Sequence, residues 1–201
     1  WRESLTPFKI GDRTVIRPST CPYEPVEGEI VITVDPKMAF GSGHHETTQL
    51  AARALEDSVR PGSSVLDAGA GTGVLAMAAA MLEASPVLAV EIDPVAFRNL
   101  IENIQKNNLS GRIEAVCDPF ENVSCGKFDI IIVNLDRSSL LATMGVISGH
   151  LEEGGQALLT GILLEEREEI EACMRGHGII PVTHAVMGDW ALVTGSLARK
   201  S

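Results

Sequence analysis

The apolar positions along the chain fall into two regimes. Up to about residue 36 they form short extended pieces broken by turns. Arg13 to Arg17 and Glu29 to Val34 read as strands, and Pro18, Pro22, Pro25 and Gly28 punctuate the stretch between them. From about Ser64 onward, short apolar runs alternate with helical patterns. Strands are predicted at Ser64 to Asp67, Val87 to Glu91, Arg112 to Cys117, Phe128 to Asn134 and Gln156 to Thr160. Helices are predicted over Gly73 to Leu82, from Asp93-Pro94 to about Asn107, over Ser138 to His150 and over Leu164 to Arg175. Asp93 suits a helix N-cap and Pro94 the first helical position. Two last strands, Ile179 to Val186 and Trp190 to Ser196, are separated only by Met187, Gly188 and Asp189, the spacing of a closing hairpin.

This alternation predicts an α/β fold: a doubly wound, Rossmann-like sheet, mostly parallel with one antiparallel strand. The uninterrupted run Ile130-Ile131-Ile132-Val133 is what a strand buried on both faces requires. The expected division is a short β-rich extension over residues 1–36 and one α/β domain over 37–201. In such sheets ligands bind beyond the carboxyl ends of the strands, near the point where strand order reverses. Chemistry is therefore sought just after each strand.

The first candidate follows the first strand of the alternation. In Asp67-Ala68-Gly69-Ala70-Gly71-Thr72-Gly73 an acidic residue precedes a glycine-rich turn that opens a helix. Gly69 and Gly71 let a ligand approach the backbone, and the helix start offers unpaired amides. A pyrophosphate cofactor would want G-x-G-x-x-G; the spacing here is G-x-G-x-G, and Asp67 would repel a diphosphate. The carboxylate could instead accept bonds from an ammonium group, directly or through water. A phosphate-free cofactor with an amino acid and a nucleoside fits, which points to S-adenosylmethionine.

Glu91, about twenty residues past that turn, suits the ribose hydroxyls. Asp118, in Cys117-Asp118-Pro119-Phe120, is placed to hold an adenine amino group, or else it only starts a turn. Asn134, ending the long apolar strand, can orient an acceptor amine without carrying a formal charge, which makes it the catalytic candidate. Met38 to Gln49, with glycines on both sides of Ser42, reads as a turning lid running into a helix. His44 and His45 are adjacent and lack H-x-x-x-H spacing, so no metal site is expected.

Composition narrows the partners. With 45% hydrophobic and 21% charged residues the chain is an ordinary globular one, and no apolar run reaches the ~20 residues that span a bilayer. A net charge of −11 without clustered Lys or Arg argues against direct nucleic acid binding; such a surface would attract a basic protein or a cationic small molecule, or it only keeps the domain soluble. No membrane association is expected, and the oligomeric state does not follow. Cys21, Cys117, Cys125 and Cys173 show no CxxC spacing; with no signal peptide pattern they suggest a reducing, cytoplasmic setting. The chain opens on Trp1 rather than Met, as expected of a piece of a longer protein.

The segment Phe40 to Thr48 resembles the F-G-T-G-T-H-x-T-T signature of the bacterial PrmA family, whose members methylate amino groups on a ribosomal large-subunit stalk protein. The glycine turn, Glu91-Ile92-Asp93-Pro94, the Asn134 strand end, Thr160-Gly161-Ile162-Leu163 and the closing strands fall in that family's order and spacing, so the likeness covers nearly the whole chain. The resemblance implies a class I S-adenosylmethionine-dependent methyltransferase that N-methylates a protein amine. It implies a lid over the cofactor from Phe40, Gly41, Gly43, His45, Thr47 and Thr48, a methionine-binding turn at Asp67, Gly69 and Gly71, a ribose carboxylate at Glu91, and an acceptor-side residue at Asn134. The chain departs from the family at His44 and Glu46 and in the more polar run Asn134-Leu135-Asp136-Arg137. The substrate-docking domain that precedes this region in the bacterial enzymes has no counterpart within these 201 residues. A small-molecule methyltransferase and a cofactor-binding subunit without catalysis are the alternatives, with a nicotinamide oxidoreductase opposed by the glycine spacing.

Overall fold

A computed structural model describes residues 6–35, 43–124 and 126–199. Three short strands, β1 (Phe8–Lys9), β2 (Thr14–Arg17) and β3 (Ile30–Thr33), form a small sheet in that order. There follow α1 (Glu46–Ser58), β4 (Val65–Ala68), α2 (Val74–Met81), β5 (Val87–Val90), α3 (Pro94–Lys106), β6 (Ile113–Val116) and β7 (Phe128–Asn134). The chain ends with α4 (Arg137–His150), β8 (Leu151–Leu163), α5 (Arg167–Gly176), β9 (Ile179–Met187) and β10 (Trp190–Leu197).

The main sheet has seven strands in the order β6-β5-β4-β7-β8-β10-β9. Only β10 runs against its neighbours, pairing antiparallel with both β8 and β9. The other pairs are parallel. Strand order reverses between β4 and β7, which opens a crevice beyond their carboxyl ends. The expected α/β, doubly wound sheet with one antiparallel strand is the fold observed.

Two apolar layers cover the sheet. Helices α1, α2 and α3 share one, built around Leu55, Met77, Leu100 and Ile132. Helices α4 and α5 share the other, around Leu140, Met144, Ile170 and Met174. Helix α2, buried from Val74 to Ala80, is apolar all round because it is enclosed on every side. Its start has no side-chain cap, since Gly73 stands at φ +81°, where a Cβ would lie 2.2 Å from Leu100 Cδ1. Helix α3 is capped as expected: Asp93 accepts from the Val95 amide at 2.8 Å and Pro94 opens the first turn.

The small sheet is bound into the same core, to which it contributes Ile10, Ile16 and Ile32. Glu56 of α1 accepts from the Asp12, Arg13 and Thr14 amides and from the Thr14 hydroxyl, at 2.6–3.1 Å. Asn107, after α3, brackets Thr33 of β3 by accepting from its amide at 2.8 Å and donating to its carbonyl at 2.9 Å.

Three elements differ from the sequence reading. Strand β8 runs from Leu151 to Leu163 rather than stopping at Gln156 to Thr160. Its glycines absorb the irregularities, with a register shift against β7 between Phe128 and Ile130 and positive φ at Gly154 and Gly161. The single helix expected from Leu164 begins as a 3₁₀ turn, Leu164–Glu166, in which Glu166 accepts from the Leu163 amide at 2.8 Å. Regular α-helix starts at Arg167. Strand β1, only two residues long, has too little pattern to be seen in the sequence.

Candidate functional site

At the switch point the turn after β4 faces the ends of β5, β6 and β7. Gly69 and Gly71 adopt φ +78° and +55°, left-handed conformations that only glycine takes cheaply. A Cβ on Gly69 would lie 2.9 Å from Leu135 Cδ2, so the turn also passes close under the residue that follows β7. The Gly69 and Ala70 amides both donate to the Val90 carbonyl at 2.9 Å, which fixes the turn against β5.

Glu91 is fastened to that turn. Its Oε2 accepts from the Gly71 amide at 2.7 Å and its Oε1 from the Asp93 amide at 2.9 Å. Each carboxylate oxygen keeps acceptor capacity beyond these single bonds. The side chain lines a cavity of about 960 Å³ together with Gly69, Gly71, Asp118, Phe120 and Asn134. Asp118 sits on the far wall, where Oδ1 accepts from Asn122 Nδ2 at 3.0 Å.

A second cleft of about 280 Å³ lies on the other side of the turn, walled by His45, Thr47, Thr48, Leu75, Gly161 and Trp190. Gly69, Gly71, Asn134, Leu135 and Asp136 line both spaces and so form a neck between them. The Asn134 carboxamide has no hydrogen-bond partner among the described residues. Gly161, at φ +90°, lets β8 pass beneath this neck; a Cβ there would lie 2.2 Å from the Leu135 carbonyl oxygen.

His45 caps α1, accepting at Nδ1 from the Thr47 amide at 3.3 Å and sharing a hydrogen bond with Thr47 Oγ1 at 2.9 Å. Its ring meets Trp190 edge-on at 4.7 Å, whereas His44 turns away and stacks on Phe8 at 3.7 Å. Among the described residues no three His, Cys, Asp or Glu side chains gather in a metal-binding arrangement.

The structure thus brings together Glu91, Asp118, Asn134, Gly69, Gly71, His45, Thr47 and Thr48. It places two expected residues elsewhere. Gly43 lines neither space and packs against the small sheet, where a Cβ would come within 3.1 Å of Ile16. Asp67, 1% exposed, also lines neither; its Oδ2 accepts from the Ala76 amide at 3.0 Å. It supplies from β4 the cap that Gly73 cannot give α2, so its pull on a ligand acts across the turn. Burial pushes the Asp67 carboxyl up to about 7, with the Ala76 bond opposing and the nearby Glu91 charge adding. Phe40 and Gly41 lie outside the described residues.

Leu135, Asp136 and Trp190 were not singled out from the sequence as site residues, and Gly161 only as part of a matching segment. Trp190 carried a usable signal, since it opens the last strand directly after Gly188-Asp189 and therefore belongs to the same end of the sheet as the glycine turn.

The family model described as "Ribosomal protein L11 methyltransferase (PrmA)" matches residues 1–198. The chain belongs to the PrmA family. A ribosomal protein L11 methyltransferase of Symbiobacterium thermophilum is 36% identical over 96% of the chain, and one of Pelotomaculum thermopropionicum is 36% identical over 98%. The chain spans 63% and 64% of the length of those two PrmA relatives. Among solved structures, a ribosomal protein L11 methylase from Lactobacillus delbrueckii subsp. bulgaricus superposes with a TM-score of 0.89 at 29% identity, covering 96% of this chain and all of that one. A putative RNA methyltransferase from Pyrococcus horikoshii, with a TM-score of 0.65 at 22% identity over 82% of this chain and 91% of that one, shares the fold. Among the described residues no helix is long and apolar enough to cross a membrane.

Proposed function

We propose that the chain carries the S-adenosylmethionine-binding and catalytic region of a protein N-methyltransferase whose acceptors are amino groups of ribosomal protein L11. The observation that carries this reading is the pair of spaces joined at one neck, the larger bearing Glu91 and Asp118 and the smaller opening beside Asn134. The substrate is taken from the two relatives cited above, both named ribosomal protein L11 methyltransferase.

The residues present fit the cofactor. The larger space is at the upper end of the ~300–1,000 Å³ typical of small-molecule sites, enough for a nucleoside with an amino acid arm. Glu91 has acceptor capacity left for two ribose hydroxyls, and Asp118 for an adenine amino group. The Gly69–Gly71 turn leaves room for the methionine portion, and among the described residues its wall carries no cation that would favour a diphosphate. When bound, the cofactor supplies an electrophilic methyl group on a sulfonium centre.

The chain's own residues do the rest by position. Asn134 offers an amide oxygen at the neck, so an amine reaching in through the smaller cleft has its lone pair oriented without a charged partner on that atom. Leu135 and Trp190 wall the neck and the cleft with apolar surface, which strips water from the acceptor. A protonated amine gives up one proton to solvent before it can act as a nucleophile.

Two measurements test the reading. Calorimetry should show binding of S-adenosylhomocysteine and none of NAD; the reverse would overturn the cofactor. Incubation with methyl-labelled S-adenosylmethionine and recombinant ribosomal protein L11 should place label on lysine or terminal amino nitrogens. Label on small metabolites of a cell extract, with none on L11, would overturn the acceptor.

A further inference from the structure

We infer that Asp136 receives the ammonium group of the acceptor at the neck and so makes the site selective for cationic substrates over neutral ones of the same shape. The inference rests on the methyltransferase reading above and deepens it.

Three observations carry it. Asp136 lines both spaces, beside Asn134 and Leu135. Among the described residues that wall the smaller cleft, His45 and Asp136 are the ionisable ones, and Asp136 alone can be an anion. Its carboxylate is also held still and left incompletely bonded. As the N-cap of α4, Asp136 accepts at Oδ1 from the Ser139 amide at 3.1 Å and from the Ser138 hydroxyl. At Oδ2 it accepts from the Ser139 hydroxyl alone, at 2.8 Å, which leaves a lone pair free on that oxygen.

The neighbouring cation does not cancel the charge. Arg137 is drawn toward the start of α5, where its guanidinium lies 2.7 Å from Glu169 and 3.5 Å from Glu166. The two serines hold the Asp136 carboxyl down at about 2, so it is an anion near neutral pH. A primary ammonium entering the cleft then has two acceptors of different kind on one short segment, the Asn134 amide oxygen and the Asp136 carboxylate. Trp190 adds apolar surface to the same cleft. A neutral hydroxyl of equal length gains little from the charge.

The test separates charge from shape. The n-butylammonium ion, the head of a lysine side chain, and 1-butanol, its neutral isostere, are titrated by NMR onto the protein saturated with S-adenosylhomocysteine. The wild-type chain should bind the ammonium about tenfold more tightly than the alcohol. Asp136→Asn keeps a good helix cap but removes the charge. It should bring that ratio to about one while leaving the alcohol's affinity and the melting temperature unchanged. A ratio that survives in Asp136→Asn overturns the inference. Failure of S-adenosylhomocysteine to bind overturns the cofactor reading instead, and the same pair of titrations on the ligand-free protein still reads the role of Asp136.

Discussion

Ligand binding should be coupled to a proton on Asp67. The carboxyl sits 1% exposed behind the glycine turn and titrates at about 7 in the folded protein. In the unfolded chain it titrates near the ordinary ~3.9. Because the folded value is raised, the native state holds one more proton than the unfolded one between those limits. Stability from this group is therefore full below about pH 4, falls as pH rises, and is lost by about pH 7, a total on the order of 4 kcal/mol. A cationic ammonium on the other side of the turn favours the anion and reverses the shift. S-adenosylhomocysteine, cationic at its amino group below neutrality, should then bind with release of a proton. The ionised fraction of Asp67 rises from about one thirtieth at about pH 5.5 to about one half at about pH 7, so affinity should rise about fifteenfold. Calorimetry at the two pH values, in buffers of different ionisation enthalpy, measures both affinity and proton count. Asp67→Asn should flatten both, which removes the histidines as an explanation. A wild-type affinity that differs by less than about twofold, with no proton released, would refute the coupling.

Three further outcomes follow from the geometry. Glu91→Gln should weaken S-adenosylhomocysteine binding by about tenfold or more in calorimetry, the scale of one charge-assisted hydrogen bond, and also lower the melting temperature, because Gln can accept from only one of the Gly71 and Asp93 amides. Asn134→Ala should lower kcat for methyl transfer about a hundredfold while cofactor affinity stays within about twofold; equal losses in both would place the residue on the cofactor rather than the acceptor. Gly161→Ala should cost about 2–4 kcal/mol in denaturant unfolding, because it forces a Cβ against the Leu135 carbonyl at a positive φ; a loss under ~1 kcal/mol would mean that β8 shifts freely.

The centre of the sheet was legible because β4, β5 and most of β7 are buried on both faces, and Ile130-Ile131-Ile132-Val133 admits few other readings. Asp93-Pro94 likewise announced the start of α3, since a capping side chain and a fixed φ act locally. Gly69, Gly71, Glu91, Asp118 and Asn134 could be placed because topology puts everything after a parallel strand at one end of the sheet. Asp67 shows where such reasoning fails. Its position beside the turn is set by the chain, but what it bonds depends on Gly73 lacking a side chain and on an Ala76 amide left open in α2. The neck residues depend on contacts between segments far apart in sequence, as when Leu135 crosses both Gly69 and Gly161. No local pattern records such a crossing.

The Glu56 carboxylate, with its four donors from residues 12–14, has a practical corollary for anyone trimming this polypeptide. A cut at Val34 would leave the half-buried Glu56 carboxylate without its four donors and bare Leu50, Ala51 and Leu55, which share their apolar layer with Ile10, Ile16 and Ile32. The shortest stably folded version should therefore begin ahead of Phe8, because residues 8–34 share the core and hydrogen bonds of the main domain.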